Sequence, residues 1–436
     1  MGRKIFISFL GAGNYSKVQY AGSKIETAYV QTAICEKNGT GFFDQLNILV
    51  TEKSKKKHWE SLYKELVGFQ NNKQNIGCIE ISEDLVKDQW TWFEKVLALV
   101  EKGDELWFDM THGFRAFSIV LSAALSFIQK TKGVKLQAVY YGAHEAANKP
   151  IVDMANFYRI NEWADGVSQL IETADASKIA SLAQEASSDS FKSLKDKKLV
   201  SALEDLTGII KNIDVNHLAD KADNALSIIR NKMDDCSGAD RQLLAMVADK
   251  FGDLASAYPL SGKYNGDYFE LQLKLIEMLN KHGLYMQSFT VMRELIGSIG
   301  MLGTTGKYAK KNMTTKGGRR YRKAFGEIFI TMCQNSEESW FYETDPEKFT
   351  KDKLEKYSVL KKFYFETLEP LKLTEQLQAI VRSMLKIRNG FNHAWVSEKK
   401  IDAELQEKAI LFATTLGSVV NVMNQERIIP GSQEAR

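Results

Sequence analysis

The amino-acid sequence predicts an N-terminal α/β domain with a doubly wound sheet, followed by all-α structure. Over about the first 155 residues, short apolar runs alternate with segments of helical periodicity. This alternation is typical of a mostly parallel sheet. Beyond Pro150 the strand-like runs nearly vanish and helical periodicity takes over. Only five of the 436 residues are proline, which favours long uninterrupted helices.

The predicted elements follow from these patterns in chain order. The predicted strands are Lys4–Leu10, Leu46–Thr51, Ile76–Ile81, Glu105–Met110 and Leu136–Tyr141. The clearest helices between them are Lys55–Phe69, Trp90–Lys102 and Phe114–Lys130. In the second half we expect helical segments at Asp175–Asp223, Asp267–Ile299, Leu371–Arg388 and Ile401–Val422. The changes of pattern predict three domains, at 1–158, 159–265 (a helical linker region) and 266–436.

Composition limits the class of protein. The net charge of +3, from 58 basic and 55 acidic residues, neither requires nor excludes a nucleic-acid partner. The four cysteines are scattered, so no zinc site or disulfide framework is expected. The apolar run near the N-terminus is too short for a signal peptide, and no run approaches the length of a membrane span. We therefore expect a cytoplasmic protein with no membrane partner.

The loop after the first strand is a candidate ligand site, because ligands of doubly wound sheets bind at the carboxyl ends of the strands. Its candidate residues are Gly11, Gly13, Asn14 and Tyr15. Ser16 stands at the third glycine position of the dinucleotide-binding fingerprint, so that motif is not satisfied. The loop still suits close approach to phosphate, and a plain glycine turn is the alternative.

The loop after the fourth strand leads to the same edge of the sheet. Its candidate residues, which could contact phosphate or a base, are Thr111, His112, Gly113 and Arg115. Simple capping of the next helix is the alternative. Two further strand ends, at Thr51 and Gly142, also point to this edge. His58 has no recognisable partner in the sequence, and we interpret it as a surface or core residue.

A second constellation, RNGFNH at 388–393, ends a strong helical pattern. Cleaving RNA without a metal needs a group that handles a proton and a cation that stabilises the charged phosphate. His393 suits the first role and Arg388 the second, with Asn389 nearby. A helix cap at Arg388 and a turn at His393 are the alternative.

Three weaker features bear on nucleic-acid chemistry. The segment Thr314–Lys323 is interpreted as a basic loop that could bind RNA phosphates, with Tyr321 stacking on a base, and a merely solvated loop is the alternative. Its candidate RNA-binding residues are Lys316, Arg319, Arg320, Arg322 and Lys323. The neighbouring Arg293 and Glu294 are expected to form an ion pair within their helix or with another helix, and support of the catalytic pair is the alternative. No HExxH motif or carboxylate cluster appears, so we expect no metal site.

Taken together, three segments resemble the CRISPR-associated proteins that join a CARF domain to a HEPN domain, the ancillary ribonucleases of type III CRISPR systems. The segments are FISFLGAGNY, DMTHGFR and RNGFNH. Further likeness lies in ILVTEK, VYYGAHEA and IVDMANFYRINEW. The resemblance covers nearly all of residues 1–165 and the helices around 285–395, and leaves about 166–265 unmatched.

This resemblance implies a Rossmann-like CARF domain that dimerises and binds cyclic oligoadenylate through the two loops and strand ends named above. The tetra-adenylate is the preferred ring, and the hexa-adenylate is left open. It also implies an all-helical HEPN domain whose catalytic residues Arg388, Asn389 and His393 come from both subunits of a homodimer or higher homo-oligomer. Such a site would cut single-stranded RNA without a metal and leave a 2′,3′-cyclic phosphate. No other cofactor is implied.

Two other functions are alternatives to this ribonuclease. A CARF-type regulator would respond to the same ligand while its helical part binds nucleic acid or a partner without cutting. It predicts that replacing His393 by alanine leaves function intact. An enzyme that uses a nucleotide cofactor on the N-terminal sheet is disfavoured by the missing third glycine.

Overall fold

The computed structural model describes residues 2–113, 115–184, 191–255, 264–305, 308, 315–340, 351–392 and 404–431. The chain divides into two compact units, Met1–Glu162 and Trp163–Arg436. This division, between Glu162 and Trp163, lies close to the first predicted domain boundary, at 158. The second predicted boundary, at 265, falls inside the second unit, and the three-domain organisation stays a prediction.

Within its described residues, the first unit contains eight strands. They are β1 (Lys4–Leu10), β2 (Val18–Gln19), β3 (Glu26–Thr27), β4 (Gln45–Val50), β5 (Ile76–Glu80), β6 (Glu105–Asp109), β7 (Lys135–Gly142) and β8 (Ile151–Asp153). Six form one sheet in the order β5-β4-β1-β6-β7-β8, parallel except for β8, and β2 pairs with β3 as a separate hairpin. All five predicted strands are confirmed within one or two residues, whereas β8 and the hairpin were not predicted.

Helices cover both faces of this sheet. The helices of the unit are α1 (Val30–Asn38), α2 (Glu52–Ser54), α3 (Glu60–Leu66), α4 (Leu85–Ala98) and α5 (Arg115–Lys132). A π-helical turn, Lys55–Trp59, joins α2 to α3. In β1, Ile5 and Ile7 pack with α4 and α5, whereas Phe6 packs with α1 and α3. This alternation follows from the two-residue period of a strand, and it produces the doubly wound class that the sequence predicts.

The second unit is helical throughout its described residues. After α6 (Ala155–Thr173), which begins in the first unit, come α7 (Ser177–Gln184), α8 (Lys197–Lys211), α9 (Val215–Asp235), α10 (Gly238–Phe251), α11 (Gly266–Lys281), α12 (Tyr285–Leu302), α13 (Lys316–Gln334), α14 (Lys351–Phe363), α15 (Leu373–Asn392) and α16 (Leu405–Gln425). One hydrophobic cluster runs from Trp163 to Ile429. The predicted fold class, α/β followed by all-α, is confirmed.

Two expectations about this unit were wrong. The predicted helical segment Asp267–Ile299 is two helices, because Gly283 adopts a φ of +67° between α11 and α12 and such a backbone ends a helix. The predicted basic loop is helical from Lys316 onward. Thr315 caps α13 by accepting a hydrogen bond from the backbone N–H of Gly318, and the helix buries an apolar face around Phe325 and Phe329.

A helix that crosses a bilayer needs about 20 predominantly apolar residues. Among the described helices, none is both long enough and apolar enough to cross a membrane.

Candidate ligand site and candidate catalytic helix

The topology of the sheet brings the two predicted ligand loops together. The chain runs from β1 outward to β4 and β5, and then returns to place β6 on the other side of β1. The strand order therefore reverses between β1 and β6, and an open α/β sheet has its ligand crevice at such a point. The loops after β1 and β6 begin at Gly11 and Met110, so both lie at this reversal.

Tyr15 links the two loops. Its hydroxyl donates to the carbonyl oxygen of Gly11 at 2.9 Å, and its ring lies 4.4 Å from the ring of His112, centroid to centroid. Gly11 is required by this packing, because a Cβ atom there would lie 2.9 Å from the His112 carbonyl oxygen. The first loop is therefore folded against the second.

The π-helical turn after β4 supplies two residues that the sequence did not single out as site residues. The ammonium group of Lys57 donates to the carbonyl oxygens of Ala12 and Gly13, both at 3.1 Å, and to Asn14 Oδ1 at 2.7 Å. His58 places Nε2 2.8 Å from the Gly13 carbonyl oxygen. Its ring also packs on Tyr15 at 4.6 Å, so the expectation that His58 has no partner was wrong. The signal that could have found both residues is their position in the first turn of the predicted helix Lys55–Phe69, which follows a strand that ends at the same edge.

A buried carboxylate anchors the second loop. Asp109 is fully buried and accepts hydrogen bonds of 2.5 Å from the hydroxyls of Ser8 and Thr111. Thr111 Oγ1 in turn accepts from the backbone N–H of Gly142 at 2.8 Å. Burial raises the pKa of Asp109 to about 6, although the two hydroxyl donors oppose that rise. Through this chain of hydrogen bonds the ends of β1, β6 and β7 are fixed to one another.

His112 is an uncharged imidazole at neutral pH. Burial, and then the nearby His144 and His58, lower its pKa to about 4. Its Nε2 atom is buried and has no hydrogen-bond partner among the residues described. A neutral imidazole can either donate or accept one hydrogen bond at that atom, which suits contact with a base or phosphate.

The other predicted ligand residues take different positions. Gly13 and Asn14 are exposed on the first loop, and Gly113 lies half-buried against the ring of Phe9. Thr51 is buried and caps α2 through a hydrogen bond from the Ser54 backbone N–H. Gly142 is buried where a Cβ atom would lie 2.7 Å from Val30 Cγ2. Arg115 begins α5, and its side chain lies outside the described part of the chain.

The candidate catalytic residues lie on the last turns of α15. Arg388 is half-buried there and Asn389 is exposed, and the ring of Phe391 lies 6.4 Å from that of Phe289 on α12. His393 lies outside the described residues. Among the residues that the structure does describe, no group of three or more His, Cys, Asp or Glu side chains is placed to hold a metal ion.

The predicted RNA-binding residues divide into two kinds. Lys316, Arg319, Arg320 and Lys323 are exposed along α13. Arg322 instead crosses to α12, where it pairs with the Glu294 carboxylate at 2.8 Å. Arg293 pairs with Glu327 at 2.5 Å, so the expected ion pairing at Arg293 and Glu294 is confirmed and links the two helices.

Sequence comparison identifies one curated relative. It is a CRISPR-associated protein of Methanocaldococcus jannaschii, 28% identical over 149 residues, which are 32% of this chain and 22% of that protein. The predicted resemblance to CRISPR-associated proteins is confirmed. The aligned part of the chain spans about a fifth of the archaeal protein's length. No family model matches the chain.

Comparison of structures finds Enterococcus italicus Csm6 bound to cyclic hexa-2′-fluoro-hexa-dAMP. The alignment covers 98% of this chain and 95% of that one, at 12% identity and a TM-score of 0.38. A TM-score below 0.5 does not establish a common fold.

Proposed function

We propose that this chain is an endoribonuclease of the CARF–HEPN type, which cuts single-stranded RNA when cyclic oligoadenylate binds its N-terminal unit. The observation that carries the proposal is the meeting of the loops after β1 and β6 at the reversal of the sheet. The sequence resemblance to CARF–HEPN proteins gives that crevice its ligand class, and the relative found by sequence comparison is CRISPR-associated.

The crevice has the chemistry that a cyclic oligoadenylate requires. Lys57 supplies a cation beside the first loop. Tyr15 and His112 form an aromatic pair at the crevice, and the buried Nε2 of His112 has no hydrogen-bond partner among the described residues. A symmetric ring suits a symmetric dimer, because each protomer can offer the same loops to opposite halves. The tetra-adenylate is the preferred activator, and the hexa-adenylate remains to be assayed.

The proposed reaction needs no metal. In it, the 2′-oxygen of the RNA attacks the adjacent phosphorus, His393 handles the proton, and Arg388 stabilises the negative charge on the phosphate, assisted by Asn389. The products are a 2′,3′-cyclic phosphate and a 5′-hydroxyl. Half-sites from two protomers of a cytoplasmic homodimer would form one active centre, so that ligand binding in the CARF domain controls its geometry. In this scheme the HEPN domain is residues 266–436 and the helical linker 159–265.

The decisive experiment is a fluorogenic RNA assay in EDTA with each cyclic oligoadenylate. Wild-type protein is expected to cut the RNA only when an activator is present, and His393→Ala is expected to lose at least a hundredfold of that rate. His217→Ala is the matched control, because His217 is an exposed residue of α9 that pairs with Asp214. Cleavage that requires Mg²⁺ or survives His393→Ala would refute the mechanism. Activator binding without any cleavage would favour the regulator that does not cut.

The ligand site is tested separately. We expect His112→Ala and Arg115→Ala to weaken activator binding, measured by calorimetry, while any activator-independent cleavage is unchanged. His217→Ala again serves as the control. Unaltered activator affinity in both variants would refute the assignment of this crevice.

A further inference from the structure

The second unit contains a cavity of about 370 Å³ that plays no part in the proposed function. It is lined by residues of α11, α12 and α13 and by the segment that leads into α9. A volume of 300–1,000 Å³ is usual for small-molecule sites, and one nucleotide fits at the lower end of that range.

One wall of the cavity carries polar atoms without partners. Gln272 is completely buried, yet within the described part of the chain neither its Nε2 nor its Oε1 has a hydrogen-bond partner. The hydroxyl of Tyr264, on the same cavity, is buried and equally unpartnered among described residues. Buried polar groups are almost always satisfied in folded proteins, so three such atoms on one wall indicate a polar ligand.

The amide of Gln272 indicates which hydrogen-bonding groups that ligand carries. An amide presents a donor and an acceptor side by side, and adenine offers the complementary pair with its exocyclic amino group and a ring nitrogen. The rings of Tyr264 and Tyr268, 5.6 Å apart and edge to face, add an aromatic surface beside it that can pack against a base.

The charged rim of the cavity is arranged for a phosphate. Three carboxylates line the cavity. Glu294 is paired with Arg322, Glu327 with Arg293, and Asp214 lies 2.8 Å from the Nδ1 atom of His217. The Arg322 guanidinium packs so closely against Gly297 and Gly326 that a Cβ atom at either glycine would clash with it. This close packing fixes its position. Lys323, exposed on the next turn of α13 after Arg319, then contributes a cation at the rim.

We propose that this cavity binds one adenine nucleotide of the RNA substrate, with Gln272 recognising the base and Lys323 contacting the phosphate. The inference rests on the proposed ribonuclease function, and it adds a preference for RNA that contains adenosine. Free adenine nucleotides share the same chemistry and are the competing source of the ligand.

The test uses the full-length protein with His393→Ala, so that bound RNA is not cut. Fluorescence anisotropy compares a labelled all-uridine RNA with the same RNA carrying one adenosine. We expect the adenosine-containing RNA to bind about tenfold more tightly, the usual order for a bidentate base contact. Gln272→Met is expected to abolish this difference and to leave the affinity for all-uridine RNA unchanged. Tyr264→Phe, which removes only a hydroxyl, provides a second variant if Gln272→Met does not fold.

Lys323→Ala should weaken the binding of both RNAs. Lys198→Ala is the control, since Lys198 is exposed on α8, does not line the cavity and is not one of the predicted RNA-binding residues. Equal affinity for the two RNAs in wild type would overturn the proposal. Binding of adenosine monophosphate that depends on Gln272, without any preference for adenosine in RNA, would also overturn it and identify a free nucleotide as the ligand. The ribonuclease function is tested alone by activator-dependent cleavage of all-uridine RNA, using protein that retains His393. Failure of the adenine-site proposal can therefore be distinguished from failure of the ribonuclease proposal.

Discussion

Thr111 holds the second ligand loop through two hydrogen bonds that one substitution can remove. Replacing it by valine keeps the shape of the side chain but deletes the hydroxyl that donates to Asp109 and accepts from the Gly142 N–H. A buried N–H left without an acceptor costs about 1–3 kcal/mol, and the loss of a donor to a carboxyl group adds to this. We expect Thr111→Val to destabilise the first unit by about 2–4 kcal/mol.

The assay combines thermal unfolding with hydrogen exchange of the peptides that cover β6 and β7. A loss of this size in a unit of 162 residues lowers its melting temperature by roughly 5–15 °C, and the two strands should exchange faster. Activator affinity should fall as well, because the loop is less ordered before binding. Thr111→Ser is the matched control, since it keeps the hydroxyl and loses one methyl group.

Unchanged melting and unchanged exchange of β6 and β7 in Thr111→Val would show that these hydrogen bonds contribute nothing to the loop. A Thr111→Ser variant as damaged as Thr111→Val would attribute the effect to the methyl group instead.

Three further predictions concern the first unit and helix α8 of the second unit. Gly142→Ala should destabilise the protein by about 1–3 kcal/mol, because the added methyl group overpacks against Val30. Gly208→Ala in α8, where a Cβ atom meets open space, should stabilise it by about 0.5–1 kcal/mol. A denaturation midpoint equal to that of wild type would contradict either prediction. The pKa of Asp109 is raised to about 6, so this group adds stability below pH 4 that is lost as the pH rises through 6. The pKa of His112 is lowered to about 4, so this group adds stability above pH 6.5 that is lost as the pH falls through 4. The two trends oppose each other, so stability of the wild-type unit should vary little between pH 4 and 6, while in His112→Gln it should rise by about 3 kcal/mol as the pH falls over that range. Urea unfolding across the pH range measures this, and a flat profile in His112→Gln would contradict it.

The sheet was predictable because its central strands are buried on both faces and therefore read as continuous apolar runs. β8 was not predicted, because it is not buried on both faces. It is a three-residue edge strand with Val152 and Asp153 exposed, so no apolar run marks it. The hairpin of β2 and β3 has two residues in each strand, which is too short for any period to be visible.

The basic segment was misread because its glycine pair, Gly317 and Gly318, is typical of a loop. Helix formation there depends on the Thr315 cap and on burial of Phe325 and Phe329, which belong to later turns of α13. Tertiary burial outweighed local propensity.

The ligand site was predicted in outline, because strand ends of a parallel sheet share an edge. The contribution of Lys57 and His58 was not, because it depends on how the π-helical turn after β4 directs these side chains toward the first loop.

The contact between Lys57 and the first loop fixes the orientation of two peptide groups. Carbonyl oxygens of Ala12 and Gly13 both face the ammonium group. In a planar trans peptide the N–H points opposite to the C=O, so the N–H groups of Gly13 and Asn14 are turned away from Lys57. An anion arriving from that side meets two aligned amide dipoles, and the lysine behind them keeps either peptide from flipping its oxygen toward the incoming charge.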